Sequence, residues 1–301
     1  MSGPREEGRS PSESRADPPG GPKDPRRSVD PMDPEGRLEE TAREPRRRFF
    51  LATDADPDEP RLAPEEARHA GTVLRLRSGE PVLGIDGKGR AWPLTIRNVE
   101  RGEVQVAPAG PPWTEPEPGS PGAPAPDLRI AFSMPQTNRL EALVDRLVQI
   151  GATRLAPFTS KYTPARSRTL NQKTLSRLQK IARSGCKQSH RLWEPELEPL
   201  RSLEELLATV NPAATARLDP RATRTLRHWA DTKVAAALQS FTLIIGPEGG
   251  FAASDTDSIT RLANGIETCW LAPYVLRIET AAEMAAGILI HTWRDHPEQQ
   301  T

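Results

Sequence analysis

Leu243-Ile-Ile-Gly-Pro-Glu-Gly-Gly250 and Leu271-Ala-Pro-Tyr-Val-Leu-Arg-Ile-Glu-Thr-Ala281 are the two segments that decide the fold. Each begins as an apolar strand, passes through a loop rich in glycine, proline or charge, and continues into a helix. Loops of this kind meet at one end of a parallel sheet, where α/β proteins build ligand sites. The pair therefore predicts an α/β fold whose ligand pocket is formed by both loops.

The first loop, residues 246–250, ends a β-branched apolar run over residues 241–245. Its three glycines allow positive φ and a close approach of the backbone to a ligand. Ser254, with Asp257 three residues later, predicts a helix N-terminus aimed at the bound group. Such loops usually bind phosphate, but the carboxylate of Glu248 would repel an anion. A zwitterionic or cationic ligand with an adenosine part fits better, and a tight turn without a ligand is the alternative.

Arg277 and Glu279 are the charged residues of the second segment. They come just before a mostly apolar helix predicted over residues 281–293. A carboxylate in the first helical turn is stabilised by the helix dipole. A local ion pair between the two side chains and a functional role therefore fit the pattern equally well.

Composition divides the 301-residue chain into four parts. Residues 1–46 are polar and proline-rich, so we expect a disordered tail. Residues 47–107 show short strands around one helix at residues 64–74, which is typical of small all-β modules that bind nucleic acid. Residues 108–126 hold eight of the 32 prolines and predict an interdomain linker. Residues 127–296 alternate strand and helix patterns, which indicates a parallel sheet.

The α/β part has a regular pattern of predicted elements. Its strands are expected at residues 128–132, 155–158, 214–218, 241–245 and 267–271. Its first helix is expected at residues 139–150, where Leu140, Leu143, Val144 and Leu147 recur at helical spacing. The alternation predicts one buried sheet with helices on its faces.

Several classes of protein are excluded by composition. The formal net charge is zero, and no apolar stretch approaches the length of a membrane span. The N-terminal region lacks the apolar core of a secretory signal, and its acidic residues argue against a mitochondrial transit peptide. Cys186 and Cys269 are far apart and fit buried thiols of a cytoplasmic protein. The histidines show no metal-ligand spacing, so we expect no metal.

A basic segment covers residues 159–191, with nine Lys and Arg residues and no Asp or Glu. Such a concentration of charge predicts an anionic partner, and RNA phosphates fit best. Lys173, Arg177, Lys180 and Lys187 share one face of a predicted helix. A helix face that is merely solvated is the alternative.

Together, residues 246–250 and Val275-Leu-Arg277-x-Glu279-Thr-Ala281 resemble a known family. It is that of the bacterial 16S ribosomal RNA uridine N3-methyltransferases, the E-type small-subunit methyltransferases of the SPOUT, or α/β-knot, class. The similarity extends upstream through His69-Ala-Gly-Thr-Val-Leu-Arg75 and covers roughly residues 47–293. The resemblance implies a C-terminal trefoil knot, a PUA-like RNA-binding β-barrel in residues 47–107, and a homodimer.

The resemblance also implies S-adenosylmethionine (SAM) as cofactor and 16S rRNA in the small ribosomal subunit as partner. Residues expected at the cofactor are Leu218, Pro220, Gly246, Pro247, Glu248, Gly249, Gly250, Leu271, Ala272, Leu276 and Thr280. Residues expected at the RNA are Lys161, Arg166, Arg168, Arg183, Lys187, Gln188 and Arg191. Arg277 is expected to stabilise the charge left on uracil when the N3 proton departs, and Glu279 to orient Arg277 or accept the proton.

Some positions depart from the family pattern. The usual glycine and arginine of the second loop are Ala272 and Tyr274 here, a usual threonine is Ile278, and a Glu-Arg pair is replaced by Lys161 and Tyr162. Most departures lie on the substrate side, so cofactor binding is the firmer expectation. Two alternatives stay open: a catalytically weak ribosome-binding or assembly factor, and a methyltransferase for another RNA position.

Overall fold

The structure, a computed structural model, describes residues 47–56, 58–100, 103–135 and 137–296, with backbone only at residues 137, 138 and 166. The predicted tail, residues 1–46, lies outside the described residues. The described chain builds a small N-terminal sheet and then a larger parallel sheet with helices. The larger sheet positions the candidate site.

The N-terminal sheet has five strands and confirms the short strands predicted there. They are β1 Arg48–Phe50, β2 Pro81–Ile85, β3 Arg90–Glu100, β4 Glu103–Pro108 and β5 Trp113–Thr114. β1 pairs with β2 in parallel, and the other pairs are antiparallel. The predicted helix over residues 64–74 is present as α1, Pro64–Arg68, which continues into a π-helix, His69–Val73.

The proline-rich segment, residues 108–126, is partly built into this sheet. β4 ends at Pro108, and in β5 Trp113 pairs with Ala91. Trp113 also packs against the main hydrophobic core. Composition predicts an extended spacer, but the apolar surface of one tryptophan is enough to fix part of the segment against the fold.

The second sheet contains only parallel pairs among its described strands, as predicted. Its strands are β6 Asp127–Ser133, β7 Arg154–Thr159, β8 Glu196–Leu197, β9 Arg201–Ser202, β10 Thr215–Leu218, β11 Ser240–Ile245 and β12 Glu267–Cys269. The order is β12–β10–β11–β6–β7–β8, with β9 beside β7. Because β12, β10 and β11 are neighbours, the loops that follow them meet at one edge.

Helices cover this sheet, and the helices predicted over residues 139–150 and 281–293 are confirmed. They are α2 Thr137–Ile150, α3 Gln172–Ser189, α4 Leu203–Leu207, α5 Leu226–Ala235, α6 Ala253–Leu262 and α7 Ile278–Asp295, with 3-10 turns at Ala165–Ser167 and Pro212–Ala214. α7 packs through buried Ala282, Ala285, Ala286 and Leu289 against β6, β11 and α2. None of the helices in the described ranges is long and apolar enough to cross a membrane.

A buried ion pair links the central strand β6 to the residue that follows the edge strand β8. The Arg129 guanidinium meets the Glu198 carboxylate at 2.7 Å (Nε to Oε1) and 2.5 Å (Nη2 to Oε2). Both side chains are at most 5% exposed. Thr209 and Arg201 complete the network, each with one hydrogen bond to the pair. Such a pair is stable only when both charges are present.

Both cysteine thiols are free and buried, and burial raises the pKa of Cys186 and of Cys269 to about 11. At pH 8 only about one thiol in a thousand would then be the reactive thiolate. We expect Ellman's reagent to label the native protein far more slowly than the guanidinium-unfolded protein. Equal labelling rates in both states would contradict this account of the burial.

Candidate functional site

A cavity of about 320 Å³ opens where β10, β11 and β12 end. Its lining comes from residues 218–221, residues 245–251, and seven residues between 271 and 281. All the residues predicted at the cofactor line it except Thr280, which lies on the exposed side of the first turn of α7. The structure thus brings together the two loops singled out in the sequence.

The glycine-rich loop is both a tight turn and an open wall of the cavity. The Gly250 N–H donates to the carbonyl of Pro247 at 2.8 Å, and Gly250 has a φ of +77°. A Cβ on Gly246 would lie 2.6 Å from the Phe251 ring, so any larger residue would displace that ring from the cavity wall. Gly249 has no neighbouring atom within 4 Å of such a Cβ. That open side gives a ligand direct access to the backbone.

The predicted start of α6 at Ser254 was wrong. The N-cap is Ala252, whose N–H donates to the carboxylate of Asp255 at 3.0 Å. The other Asp255 oxygen accepts the Lys161 N–H at 3.2 Å. Two donors draw the buried Asp255 into the first turn, which moves the helix start by two residues. No residue of α6 lines the cavity, and the lining ends at Phe251, directly before the N-cap.

Asp219, which lies between the Leu218 and Pro220 already expected at the cofactor, and Arg221, which was not expected there, form a charged part of the cavity lining. Asp219 accepts hydrogen bonds from the Arg221 N–H at 2.9 Å and from its guanidinium at 3.1 Å. These bonds hold the pKa of Asp219 below its usual range. An ionised carboxylate in the wall suits a ligand with hydroxyl or ammonium donors.

Phe251 forms an aromatic wall of the cavity, also unpredicted. Its ring stacks on Phe158 with centroids 6.3 Å apart, and the Arg217 guanidinium lies 5.5 Å from its centre. These contacts hold the ring beside apolar side chains of Leu218 and Ile245. The resulting surface is suited to a flat, apolar group.

Arg277 and Glu279 stand at the rim of the cavity. Arg277 is the N-cap of α7 and is exposed, and its side chain has no hydrogen bond or ion pair within the described residues. The local ion pair between Arg277 and Glu279, one of the two alternatives left open by the sequence, does not form. Glu279 instead faces Arg139, with Oε1 3.7 Å from Nε. Neither predicted catalytic residue lines the cavity itself, although neighbouring Leu276 and Ile278 do.

Four cations of the basic segment pair with acidic residues that lie outside the segment. Arg183 Nε lies 3.1 Å from Glu194, and Lys187 Nζ lies 2.7 Å from Glu66. The other pairs on α3 are Arg177 with Glu141 and Lys180 with Glu65. The prediction of an uncompensated basic face relied on the lack of Asp and Glu within residues 159–191. It missed these partners because they belong to other parts of the fold.

The remaining residues predicted at the RNA divide into two groups. Arg168 donates to the carbonyls of residues 160, 161 and 163, and the mostly buried Arg191 donates to those of residues 148 and 152. Lys161 and Gln188 are exposed, and their side chains make no ion pair or hydrogen bond in the part that the structure describes. The side chain of Arg166 lies outside the described residues.

Two exposed apolar side chains stand beside the cavity. Tyr274 is 80% exposed and Val275 is 69% exposed, and both contribute to the lining. Large apolar side chains this open are uncommon unless they contact something else. Within the described ranges, no three His, Cys, Asp or Glu side chains are grouped so that they could hold a metal ion.

Proteins of similar sequence align with most of the chain. A family model described as RNA methyltransferase domain matches residues 123–290. Ribosomal RNA small subunit methyltransferase E of Mycobacterium bovis is 28% identical over 250 residues, covering 76% of this chain and 86% of that protein. The Bacillus subtilis protein of the same name is 23% identical, covering 72% of this chain and 84% of that protein.

Solved structures share the fold. A protein from Legionella pneumophila in complex with the bound cofactor SAM matches with a TM-score of 0.66 at 25% identity, covering 80% of this chain and 96% of that chain. Ribosomal RNA small subunit methyltransferase E from Neisseria gonorrhoeae, bound to S-adenosyl methionine, matches with a TM-score of 0.68 at 22% identity. The latter match covers 82% of this chain and 98% of that chain.

Proposed function

Because this chain belongs to the RNA methyltransferase domain family, we propose that it methylates RNA of the small ribosomal subunit with SAM as methyl donor. The proposal rests on the cavity at the ends of β10, β11 and β12. Its walls include the glycine-rich loop and the segment between residues 271 and 281. The relatives named for small-subunit RNA methylation support the substrate, and the Legionella complex with SAM supports the donor.

The cavity residues fit SAM. A volume of about 320 Å³ falls in the range of about 300–1,000 Å³ usual for small-molecule sites. Leu218, Leu271 and Leu276 would hold the adenine among apolar groups, with the open backbone at Gly249 for its polar edge. Asp219 would accept from hydroxyl or ammonium groups of the ligand. When bound, SAM supplies a methyl group that its sulfonium makes strongly electrophilic.

The proposed acceptor is N3 of a uridine. That atom lies on the pairing edge of the base, so the base has to be unpaired or flipped out to reach the cavity. As the N3 proton leaves to water, negative charge spreads onto the two flanking carbonyl oxygens. The N3 electron pair would then bond to the methyl carbon, whose bond to sulfur would break and leave its electrons on sulfur. Arg277, exposed and without a partner in the described part of the chain, is available to stabilise this charge.

Glu279 is proposed to position groups rather than to accept the N3 proton. Its Oε1 lies 3.7 Å from Arg139 Nε, and its side chain does not line the cavity where the base would lie. This argument favours the orienting role over the role of general base. The group that Glu279 orients directly is Arg139, and Arg277 is two residues away along the chain.

RNA contact is proposed for the rim of the cavity and the basic segment. Lys161 and Tyr162 are exposed in the loop after β7, and the bond from Lys161 to Asp255 brings that loop beside the start of α6. Tyr274 offers an exposed face on which a base could stack, which is worth about 1–3 kcal/mol per base in other proteins. The paired cations of α3 would contact RNA less strongly than unpaired ones.

Three finer features are proposed from the resemblance. The trefoil knot is proposed from the resemblance alone. The backbone bonds of Trp270 to Arg224 and Leu226 hold the segment after β12 beside the start of α5. A PUA-like RNA-binding barrel is supported by the small sheet before residue 115. A homodimer is supported by the exposed side chains of Thr280 and Met284 on α7, with the partly buried Gly287 one turn further on. A monomer mass by light scattering would contradict the dimer.

Two glycine substitutions separate loop geometry from ligand contact. Gly246→Ala forces a Cβ into the Phe251 ring, so we expect a distorted loop and SAM binding weakened by about tenfold or more. Gly249→Ala meets no protein atom and should leave the free protein unchanged. Calorimetric titration with SAM measures the first effect, and thermal unfolding of the free protein measures the second. Equal affinities for Gly246→Ala and the wild-type protein would contradict the proposed role of the loop.

A direct test of the proposed function combines binding with transfer. The purified protein is titrated with SAM and then incubated with radiolabelled SAM and small ribosomal subunits. We expect SAM binding and label in the RNA. Binding to subunits without any SAM binding would instead favour the assembly-factor alternative.

A further inference from the structure

Arg139 links the glycine-rich loop to the start of α7 through one guanidinium. Its Nη1 donates to Glu248 Oε1 at 3.1 Å, and its Nε lies 3.7 Å from Glu279 Oε1. Glu248 belongs to the glycine-rich loop, and Glu279 to the first turn of α7. Arg139 itself lies near the start of α2. Three elements that meet at the cavity are therefore linked by a single side chain.

Glu279 depends on this contact more than Glu248 does. Its side chain is only 14% exposed, against 49% for Glu248. Its second oxygen, Oε2, is buried without a hydrogen-bond partner. A largely buried carboxylate needs a nearby cation, and Arg139 is the one that the described residues provide.

Arg139 is not needed to hold α2 against α7. Two turns further along α2, Arg146 Nη1 pairs with Glu283 at 3.0 Å and links the same two helices. Buried apolar side chains, among them Val144, Leu147 and Leu289, fill the space between sheet and helices. What distinguishes Arg139 from Arg146 is contact with a loop of the cavity.

We propose that Arg139 is a positioning residue for methyl transfer. It fixes the glycine-rich loop and the start of α7 in one arrangement, which sets the cavity and Arg277 relative to each other. The inference rests on the proposed function, because it concerns the same cavity.

Two effects of removing Arg139 oppose each other. Glu248 and Glu279 would lose their countercharge and attract a cationic ligand more strongly. Glu248 is half exposed, however, so solvent and salt screen that attraction. A freed loop with three glycines gains much conformational entropy, which binding then has to remove. The loss of order should dominate, and the result should be weaker binding.

The test compares Arg139→Ala with Arg146→Ala, its matched control. Both remove one ion pair between α2 and α7, but only Arg139→Ala releases the loop. For Arg139→Ala we expect about fivefold weaker SAM binding in calorimetry. We also expect kcat to fall by about tenfold or more, because a small displacement of reacting groups is costly. Arg146→Ala should stay within about twofold of wild type in both.

A conservative variant and a coupling measurement separate positioning from general destabilisation. Arg139→Lys keeps the charge but cannot span both carboxylates, so its kcat should lie between those of wild type and Arg139→Ala. In a protein already carrying Glu248→Gln, Arg139→Ala should cost less than it does alone. Glu248→Gln tests the same contact if Arg139→Ala fails to fold.

Each outcome has a defined meaning. A wild-type protein that does not bind SAM overturns the proposed function and this inference with it. Wild-type binding with Arg139→Ala equal to Arg146→Ala overturns the inference alone. Tighter SAM binding by Arg139→Ala that disappears with added salt also overturns it, because Arg139 would then only neutralise charge.

Discussion

Arg277→Ala is expected to lower kcat for methyl transfer by about 10²–10³-fold while leaving the affinity for SAM unchanged. The guanidinium is the group proposed to stabilise the uracil oxygens as the N3 proton leaves, and loss of one such donor has that order of effect in other enzymes. Arg277 is exposed and does not line the cavity, so cofactor contacts should survive. Transfer rates to small subunits and calorimetry with SAM measure the two quantities.

The control for Arg277→Ala is Arg294→Ala. Arg294 is also exposed and lies in the last turn of the same helix, α7, far along it from the cavity. Its replacement should change neither quantity. If Arg277→Ala instead lost SAM affinity in proportion to its rate, the residue would belong to the cofactor site and the assigned role would be wrong.

Glu198→Ala is expected to lower the free energy of unfolding by about 3–5 kcal/mol. It leaves the Arg129 guanidinium, 3% exposed, buried without its carboxylate. Arg201 and Thr209 cannot replace that charge. Urea unfolding monitored by tryptophan fluorescence gives the change, provided that the slope with denaturant stays the same.

The matched control is Asp231→Ala, which removes a carboxylate from an exposed pair. Asp231 pairs with Arg227 at 2.9 Å on α5, with both side chains about half exposed. Exposed helical pairs contribute about 0.3–0.5 kcal/mol. A Glu198→Ala protein no less stable than Asp231→Ala would show that the Arg129 network is not needed for the sheet.

The strands and long helices were predictable because their signals are local. The apolar run before Gly246 is itself buried strand β11, and the spacing of Leu140, Leu143 and Leu147 is itself the buried face of α2. The pocket loops followed from the same logic, since parallel strands end at a common edge. Very short elements such as β8 and β9 carry too few residues to show a period.

The charged contacts could not be predicted, because their partners are far apart in sequence. Arg129 and Glu198 are separated by 69 residues, and Arg139 and Glu248 by 109. The basic segment looked uncompensated for the same reason, since Glu66 reaches Lys187 across 121 residues. The start of α6 moved because Asp255 binds the backbone of Lys161, again a tertiary contact.

The most direct test of the central claim is the identity of the methylated nucleoside. Small ribosomal subunits that lack 3-methyluridine in their RNA are incubated with the protein and SAM, and the digested RNA is analysed by mass spectrometry. We predict that 3-methyluridine appears with the wild-type protein and is lost with Arg277→Ala. A different methylated nucleoside would contradict the assigned N3 position, and no methylated nucleoside despite bound SAM would contradict methylation of small-subunit RNA.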